Sequence, residues 1–523
     1  MLEFKSSFGK QTRDKVVPPI SPFGLELYDA SNTWQRTYYW SQQPIPTSPS
    51  TIEQRKKESL ELIKKRLKNW YCVETKTTPS FTDGSNLKRR WNSLLRSIKN
   101  AHSEYDKLTL DDESKVVGPP LFCRDCRGSN EQKFGFIMEK ILLPLALEYH
   151  LRSRTNEIAD TADAQLDNLN SADQDTKTNA YKTIAGENTN MQALFTSYLP
   201  TSTPLHADQV KTAINTLNLD RLNKINNLLD YVEQQGFVDG SGLGSLDHEM
   251  NKDGAGFMHT LFLISDSLSS SSKKSRLLDL INTTKWYNDF GEVYQSPTFE
   301  IKGTTADRMI TLMLFRLIIV LVMPNDNDDE IKAKIRDMDA LVRWMNNALA
   351  VNEGLGGVIK PDFTGFHHKA FYGSAYVPQA FHNAALVQYL LGGTEFSLST
   401  SSVNNIRRGL ETFRVIAVKY STPSSVNGRF PSYVKKALIK DALPGYAYIS
   451  VFHPSILPSA ISQEITVTNL TEPGMFLQLY DSSDQDVEDY LKNGRITKDK
   501  YYFNSLGSLD IMEGVSSPIT VSF

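Results

Sequence analysis

The most apolar run of the sequence is Met309–Met323, MITLMLFRLIIVLVM. It is shorter than the roughly 18 residues that a membrane-spanning helix needs, and Arg316 lies inside it. An apolar stretch of this kind is typical of a helix buried inside a globular protein. The sequence therefore predicts a core helix and no membrane span.

Amphipathic helices are predicted on both sides of this core helix. Apolar residues recur at spacings of three and four in Leu60, Ile63, Leu67 and Trp70, which marks one face of a helix. The same period returns in Trp91, Leu94, Leu95, Ile98, His102 and Tyr105. Further helices are predicted near 134–152, 208–235, 256–268, 273–288, 304–323, 331–350, 376–391 and 402–419. Such a succession of helices favours an α/α toroid or a helical array.

Composition divides the chain into three parts. Residues 1–50 are rich in proline, serine and aromatics and are predicted to be an extended lead-in. Residues 51–445 carry the helical pattern, interrupted at 155–190 by a polar stretch that we interpret as a mobile insertion. Residues 446–523 change to short alternating runs such as ITVT and ITVS, which predict a short antiparallel β segment.

Charge and cysteine content exclude several classes of protein. Lys and Arg number 57 against 60 Asp and Glu, for a formal charge of −3, so the chain lacks the positive charge of a general nucleic-acid binder. Three cysteines cannot form a disulfide framework. Cys123 and Cys126 form a lone CxxC without the further ligands that zinc needs, and no metal site is predicted. The N-terminus has no apolar core of a signal peptide.

Residues 361–383, PDFTGFHHKAFYGSAYVPQAFHN, concentrate histidine and tyrosine in a loop that leads into a helix. Catalytic groups are often carried by loops on a rigid scaffold. Histidine and tyrosine both exchange protons, and a nearby arginine such as Arg429 can lower the pKa of a phenol. Residue types alone leave two hypotheses open, a helical enzyme and a binding protein.

The longer segment GGVIKPDFTGFHHKAFYGSAYVPQAFHNAALVQYLLGGTEFSLS (356–399) resembles the catalytic segment of polysaccharide lyase family 8, in the pattern of its chondroitin sulfate ABC lyase branch. The resemblance extends upstream to YVEQQGFVDGSG and downstream to NNIRRGLE and GRFP. It implies an incomplete α/α toroid followed by β domains. It also implies β-elimination of uronic-acid glycosaminoglycans such as chondroitin, dermatan or hyaluronan, without a metal or other cofactor.

The resemblance also assigns residues. His368 matches the catalytic histidine, Tyr376 the tyrosine that protonates the leaving oxygen, and Arg429 the arginine that holds this tyrosine. His248 matches the side chain that faces the uronate carboxylate. The resemblance places further substrate contacts at Asn383, Trp286, Tyr287, His367 and Tyr372. Trp286 and Tyr287 can either stack on sugar faces or be divided between core and surface.

The same resemblance sets the expected partner and location. The partner is an acidic polysaccharide, which a chain of charge −3 can bind only if Lys and Arg concentrate along one cleft. The enzyme is expected to act outside the cytoplasm, as a monomer, with no nucleic-acid partner.

Several alternatives stay open. A competing alignment places the catalytic pair at His367 or Tyr372. The catalytic glutamate of the family has only Glu513 as a candidate, so a catalytically impaired glycosaminoglycan-binding protein is a second hypothesis. A toroid glycoside hydrolase with paired carboxylates is a third, for which Asp362 and Glu353 are the nearest candidates.

Overall fold

The structure is a computed structural model that describes residues 33–71, 86–118, 121, 134–152, 207–242, 254–270, 272–354, 356–417, 422–427, 441, 442, 445, 448 and 449. The CxxC cysteines, the predicted insertion at 155–190 and nearly all of the predicted β segment at 446–523 lie outside the described residues.

The described residues are mainly helical, which confirms the prediction of a mainly α fold. The helices are α1 (Thr33–Ser41), α2 (Gln54–Tyr71), α3 (Asn86–Tyr105), α4 (Phe134–Phe136), α5 (Leu143–Arg152), α6 (Ala207–Gln234), α7 (Ala255–Leu268), α8 (Lys274–Tyr287), α9 (Ala306–Val322), α10 (Asp328–Ala348), α11 (Val377–Leu391) and α12 (Thr400–Ile416). A π-helical turn, Ile137–Leu142, joins α4 to α5, and 3₁₀ turns lie at Phe290–Tyr294 and Ser424–Val426.

The β structure in the described residues consists of two short hairpins. Strands β1 (Thr109–Leu110) and β2 (Val116–Val117) pair antiparallel. Strands β3 (Phe366–His367) and β4 (Ala370–Phe371) do the same. Neither hairpin contributes a layer to the core, which is therefore built by helices.

The apolar run forms α9, the helix at the centre of the core, as predicted. It packs against α7, α8, α10 and α11, and almost all its side chains are buried. Thr305 caps its first turn by accepting a hydrogen bond from the backbone N–H of Arg308. Among the described residues, no helix is both long enough and apolar enough to cross a membrane.

The C-terminal end of α9 is capped by a buried lysine of α10. The Nζ of Lys334 donates to the carbonyl oxygens of Leu321 at 2.8 Å and Met323 at 2.9 Å. Burial lowers the pKa of this amine to about 7. The last carbonyls of a helix have no partner within the helix, so this side chain supplies one where water is excluded.

Arg316, the charge inside the apolar run, is fully buried and hydrogen-bonded. Its guanidinium donates to the carbonyl oxygens of Asn288 and Asp289, at 3.0 and 2.7 Å, and to Glu292 at 2.7 Å. The ring of Trp344 lies 4.3 Å from the guanidinium carbon. A buried charge is tolerated when it is paired and hydrogen-bonded in this way.

The prediction of an extended lead-in is wrong for Thr33–Ser41, which forms α1. The helix is held by long-range contacts. Arg36 pairs with Asp289 at 2.9 Å, Thr37 donates to the same carboxylate at 2.8 Å, and Trp40 is 1% exposed. Its local sequence is rich in aromatics and threonine, which have modest helix propensity, so tertiary packing decides its structure.

Gly291 allows α1 to approach the 3₁₀ turn closely, and it generates the first prediction. A Cβ at this position would lie 1.9 Å from the carbonyl oxygen of Trp40. We expect Gly291→Ala to lower the free energy of unfolding by about 1–3 kcal/mol, because backbone atoms must move apart. Urea denaturation measures this change. Gly354→Ala is the control, since its nearest neighbour would be a side-chain oxygen at 3.4 Å; an equal loss in both variants would contradict the prediction.

His259 generates a prediction about acid stability. It is fully buried in α7, bonded through Nδ1 to the hydroxyl of Tyr71, and burial lowers its pKa from 6.5 to about 3. The unfolded chain therefore binds a proton below pH 6.5 that the folded chain does not, so this group destabilises the fold as the pH falls from 6.5 towards 3. Between pH 7 and 4.5, the free energy of unfolding of the wild type should therefore fall by roughly 2–3 kcal/mol more than that of His259→Gln.

Urea denaturation of both proteins at the two pH values measures this difference. His368→Gln, which replaces an exposed histidine, is the control and should follow the wild type. An equal fall in the free energy of unfolding of the wild type and of His259→Gln would contradict the prediction.

Candidate active site

The β3–β4 hairpin carries the two adjacent histidines. His367 pairs with Ala370, which leaves His368 and Lys369 as a two-residue turn. Both turn residues have positive φ, 48° and 62°. This is the pattern of a type I′ turn, which normally selects asparagine and glycine. His367, the last residue of β3, is buried, and His368, in the turn, is exposed.

Helix α11 begins directly behind this hairpin. A Cβ on Gly365 would lie 1.8 Å from Cγ1 of Val377, so only glycine permits this approach between the loop and the first residue of α11. The backbone N–H of Tyr372 donates to the carbonyl oxygen of Gly365 at 3.2 Å. These contacts hold the hairpin against the start of the helix.

Tyr376, the residue before α11, has a strained backbone. Its φ is 58° and its ψ is −60°, and the N–H of Val377 donates to the carbonyl oxygen of Ala375 at 2.6 Å. This geometry is that of the γ-turn with positive φ, which is rare because it is strained. Strain of this kind persists only where the surroundings impose it, and it is concentrated at functional sites.

The side chains of His367, Tyr372 and Tyr376 form one cluster. The rings of His367 and Tyr376 are stacked, with centroids 4.1 Å apart and an angle of 23° between their planes. Tyr372 meets the His367 ring edge-on at 5.3 Å, and the centroid of His368 lies 3.9 Å from that of His367. The structure therefore brings His367, the residue of the competing alignment, against Tyr376.

A carboxylate from the core helix also reaches His367. Oδ2 of Asp307, in the first turn of α9, lies 3.9 Å from Nε2 of His367. The His367 side chain is 3% exposed and that of Asp307 is 22% exposed. Sequence analysis did not identify Asp307, because nothing in its local pattern distinguishes it from an ordinary acidic residue at a helix N-terminus.

Asn383 links α11 to α9. Its Nδ2 donates to the carbonyl oxygen of Met309 at 2.9 Å, and the residue is 8% exposed. Its amide donor therefore joins the two helices that carry Tyr376 and Asp307. The predicted substrate contact at Asn383 stays a prediction.

Trp286 and Tyr287 both lie in the core, so the predicted aromatic pair is not divided between core and surface. Trp286 is 8% exposed and donates from Nε1 to the carbonyl oxygen of Ser241 at 2.9 Å. Tyr287 is 3% exposed and stacks on Phe237 with centroids 4.6 Å apart. Neither ring presents an exposed face of the size that sugar stacking needs.

Other predicted residues fall elsewhere. His248, Arg429 and Glu513 lie outside the described residues. Asp362 and Glu353, the candidates for a glycoside hydrolase, are both exposed, and Asp362 accepts hydrogen bonds from the N–H and hydroxyl of Thr364. Within the described parts of the chain, no group of three or more His, Cys, Asp or Glu could hold a metal ion.

Two exposed positive side chains lie on the hairpin turn and over the loop before it. Lys369 is exposed at the hairpin turn, and Arg408 of α12 is exposed with its guanidinium carbon 4.6 Å from the ring centroid of Phe363. Lys360 instead supports the backbone of the preceding loop. Its Nζ donates to the carbonyl oxygens of Gly354 and Gly356, and burial lowers its pKa. Lys369 at the turn and Arg408 over Phe363 are therefore the exposed cations identified on the hairpin and on the loop before it.

A family model described as "Lyase, catalytic" matches residues 175–452, more than half of the 523 residues. The chain belongs to this lyase catalytic family. The match includes the hairpin, Tyr376 and the whole of α9 and α11. It supports a polysaccharide lyase family in general and does not single out the predicted family 8.

Three curated proteins are similar to parts of the chain. A chondroitin sulfate ABC exolyase of Bacteroides thetaiotaomicron is 28% identical over 204 residues, 39% of this chain and 19% of that protein. Proteus vulgaris has an exolyase of the same name, 25% identical over 39% of this chain and 20% of its own length. A Proteus vulgaris chondroitin sulfate ABC endolyase is 27% identical over 55% of this chain and 26% of its own. The matches thus span about a fifth to a quarter of the relatives' lengths.

Among solved structures, a xanthan lyase of Paenibacillus is similar with a TM-score of 0.48 at 13% identity, covering 86% of this chain and 34% of that one. This loose similarity carries no conclusion about fold or substrate.

The positive φ of Lys369 generates a prediction about the hairpin. We expect Lys369→Gly to raise the free energy of unfolding by up to about 1 kcal/mol, because glycine adopts this conformation without the cost of a Cβ. Urea denaturation measures the change. Lys369→Ala removes the same charge but keeps the Cβ, and it should give no gain. Equal stabilisation by both variants would assign the effect to charge and contradict the prediction.

Proposed function

We propose that this chain is a glycosaminoglycan lyase that cleaves a uronic-acid polysaccharide by β-elimination, with His367 and Tyr376 at its catalytic centre. The substrate class is that of the chondroitin sulfate ABC lyases to which the chain is similar. This proposal includes membership of polysaccharide lyase family 8 and action outside the cytoplasm. We also propose that it acts as a monomer.

The observation that carries the proposal is the stacked pair of His367 and Tyr376. Two side chains able to exchange protons lie together, one of them on a strained backbone, within the region that matches the lyase family. The polar atoms of two stacked rings lie at the ring edges, and we propose that one substrate reaches both of them. A uronate beside both rings would meet a base and an acid at once.

The reaction uses these two groups as follows. A base, His367 or ionised Tyr376, removes the proton on C5 of the uronate. The electrons of the broken C–H bond form the C4–C5 double bond, the C4–O4 bond breaks, and the Tyr376 phenol protonates O4. No water is consumed. The C5 proton is weakly acidic, so a hydrogen-bond donor to the uronate carboxylate is needed as charge develops there. We keep His248 in this proposed role. We likewise keep Arg429 as the residue that holds Tyr376.

The assignment of His367 replaces that of His368 in this proposal. His367 is buried against Tyr376, whereas His368 is exposed on the turn. A catalytic base needs a fixed geometry, which a buried ring in contact with three others has and an exposed turn residue lacks. We assign His368, with Lys369 and Arg408, to contacts with the anionic polymer.

The helical framework suits the same proposal. Helix α7 packs against α5 and α9, α9 against α11, and α11 against α12, so neighbours in space follow one another around the core. We propose that these pairs form part of an incomplete α/α toroid. The hairpin and the start of α11 would then lie at one end of the helix pairs, where loops line a cleft.

Three variants test the catalytic assignment. Tyr376→Phe and His367→Ala should each lower kcat about 10²–10⁴-fold on chondroitin sulfate, because each removes a proton-transfer group. His368→Ala, the matched control beside His367, should keep kcat within about tenfold and mainly raise KM. The ultraviolet absorbance of the unsaturated uronate product measures all three. Circular dichroism checks that each variant is folded.

Two outcomes would overturn parts of this proposal. Loss of activity in His368→Ala with activity retained in His367→Ala would return the catalytic role to His368. A wild-type chain that binds chondroitin sulfate and hyaluronan without forming unsaturated product would favour the glycosaminoglycan-binding protein instead.

A further inference from the structure

The carboxylate of Asp307 pairs with His367, although it comes from a different part of the fold. Asp307 lies in the first turn of α9, about 60 residues before the hairpin in the sequence. Its Oδ2 is 3.9 Å from Nε2 of His367. This separation is too long for a direct hydrogen bond but within the range of an ion pair.

The position of Asp307 is fixed by the core and not by the site. Helix α9 is capped by Thr305, buried along its length and tied to α11 through the Asn383 bond to Met309. Acidic side chains are stabilising in the first turn of a helix, where the backbone N–H groups point outward. The backbone of Asp307 is therefore fixed, and its carboxylate lies beside one edge of the imidazole.

The ring contacts of His367 restrict its orientation but do not select the nitrogen that carries the proton. Tyr376 stacks on one face, and Tyr372 approaches edge-on. A carboxylate beside Nε2 does select it, since it favours a proton on the nitrogen that faces it. The opposite nitrogen, Nδ1, is then the one with a lone pair.

We propose that Asp307 is a positioning residue of this centre: it keeps the proton of neutral His367 on Nε2 and stabilises the imidazolium that forms when Nδ1 accepts a proton. This inference rests on the proposed function, in which His367 exchanges a proton with substrate. A buried carboxylate that orients a histidine base is established chemistry in other enzymes.

Asp307→Asn tests the proposal, because it keeps the shape and removes the charge. We expect kcat on chondroitin sulfate to fall about 10–100-fold while KM changes less than about threefold. Asp307→Glu, whose longer side chain can close the gap of 3.9 Å, should recover most of kcat. Asp328→Asn is the matched control: it makes the same change in the first turn of α10, on an exposed residue, and should match the wild type.

The second measurement needs no activity. In protein labelled with ¹⁵N-histidine, the His367 resonances, assigned by their loss in His367→Ala, should show the tautomer protonated on Nε2. Asp307→Asn should shift them towards the other tautomer, and Asp328→Asn should not. Unchanged His367 resonances in Asp307→Asn would overturn the proposal, even if kcat falls. A tautomer change with wild-type kcat would also overturn it, since the orientation would not matter to catalysis.

The two proposals fail in different ways. If the wild type forms no unsaturated product, the proposed function fails, and the resonances still show whether Asp307 orients His367. If the wild type is active and Asp307→Asn is equally active, only the inference about Asp307 fails.

Discussion

The structure depends on one buried ionic network, in which three arginines share two carboxylates. Arg308 and Arg316 of α9 both donate to Glu292, and Asp289 pairs with Arg36 at 2.9 Å and Arg308 at 3.3 Å. All five side chains are at most 7% exposed. Removing one member of such a network leaves an uncompensated buried charge, which costs about 3–5 kcal/mol. The network therefore fixes α9 against the 3₁₀ turn and α1.

The candidate site depends on that placement of α9. The helix presents Asp307 to His367 and the carbonyl oxygen of Met309 to Asn383 of α11. Helix α11 in turn begins directly after Tyr376, whose γ-turn is held by the approach of Gly365 to Val377. The ionic network thus anchors the helix on whose geometry the site depends. Strain at Tyr376 can persist because packing around α9 and α11 opposes its relaxation.

Sequence periodicity predicted the helices well for a physical reason. A buried stripe must recur every 3.6 residues, so Leu60, Ile63, Leu67 and Trp70 mark α2 directly, and all four are buried. Periodicity did not predict helix α1, because its stability comes from partners about 250 residues away in the sequence. The surroundings of Trp286 and Tyr287 could not be predicted from the sequence, because adjacent residues on a helix normally face different surroundings. In the structure both rings are buried, because neighbouring residues cover both of the faces of α8 on which they lie.

The site was predictable as a cluster but not in its details. The choice between His367 and His368 depends on the register of β3 and β4, and a shift of one residue exchanges the buried and exposed histidines. The turn sequence His-Lys does not indicate that register, because type I′ turns usually contain asparagine and glycine. Asp307 could not be found at all, since only the tertiary packing of α9 brings it near the hairpin.

The same network sharpens the question of how a chain of net charge −3 would attract a polyanion. Arg36, Arg308 and Arg316 are buried in the core, so they contribute little to the field at the surface. The five buried groups carry one more positive than negative charge, so the remaining charge of the chain is more negative than its total indicates. The attraction that we propose would therefore be local. Lys369 on the hairpin turn and Arg408 over Phe363, three residues before β3, are exposed cations in the part of the chain that the structure describes. Exposed charges act only over a short range because salt screens them. Two such cations therefore suit a site that binds one segment of an acidic chain better than a surface that attracts the whole polymer.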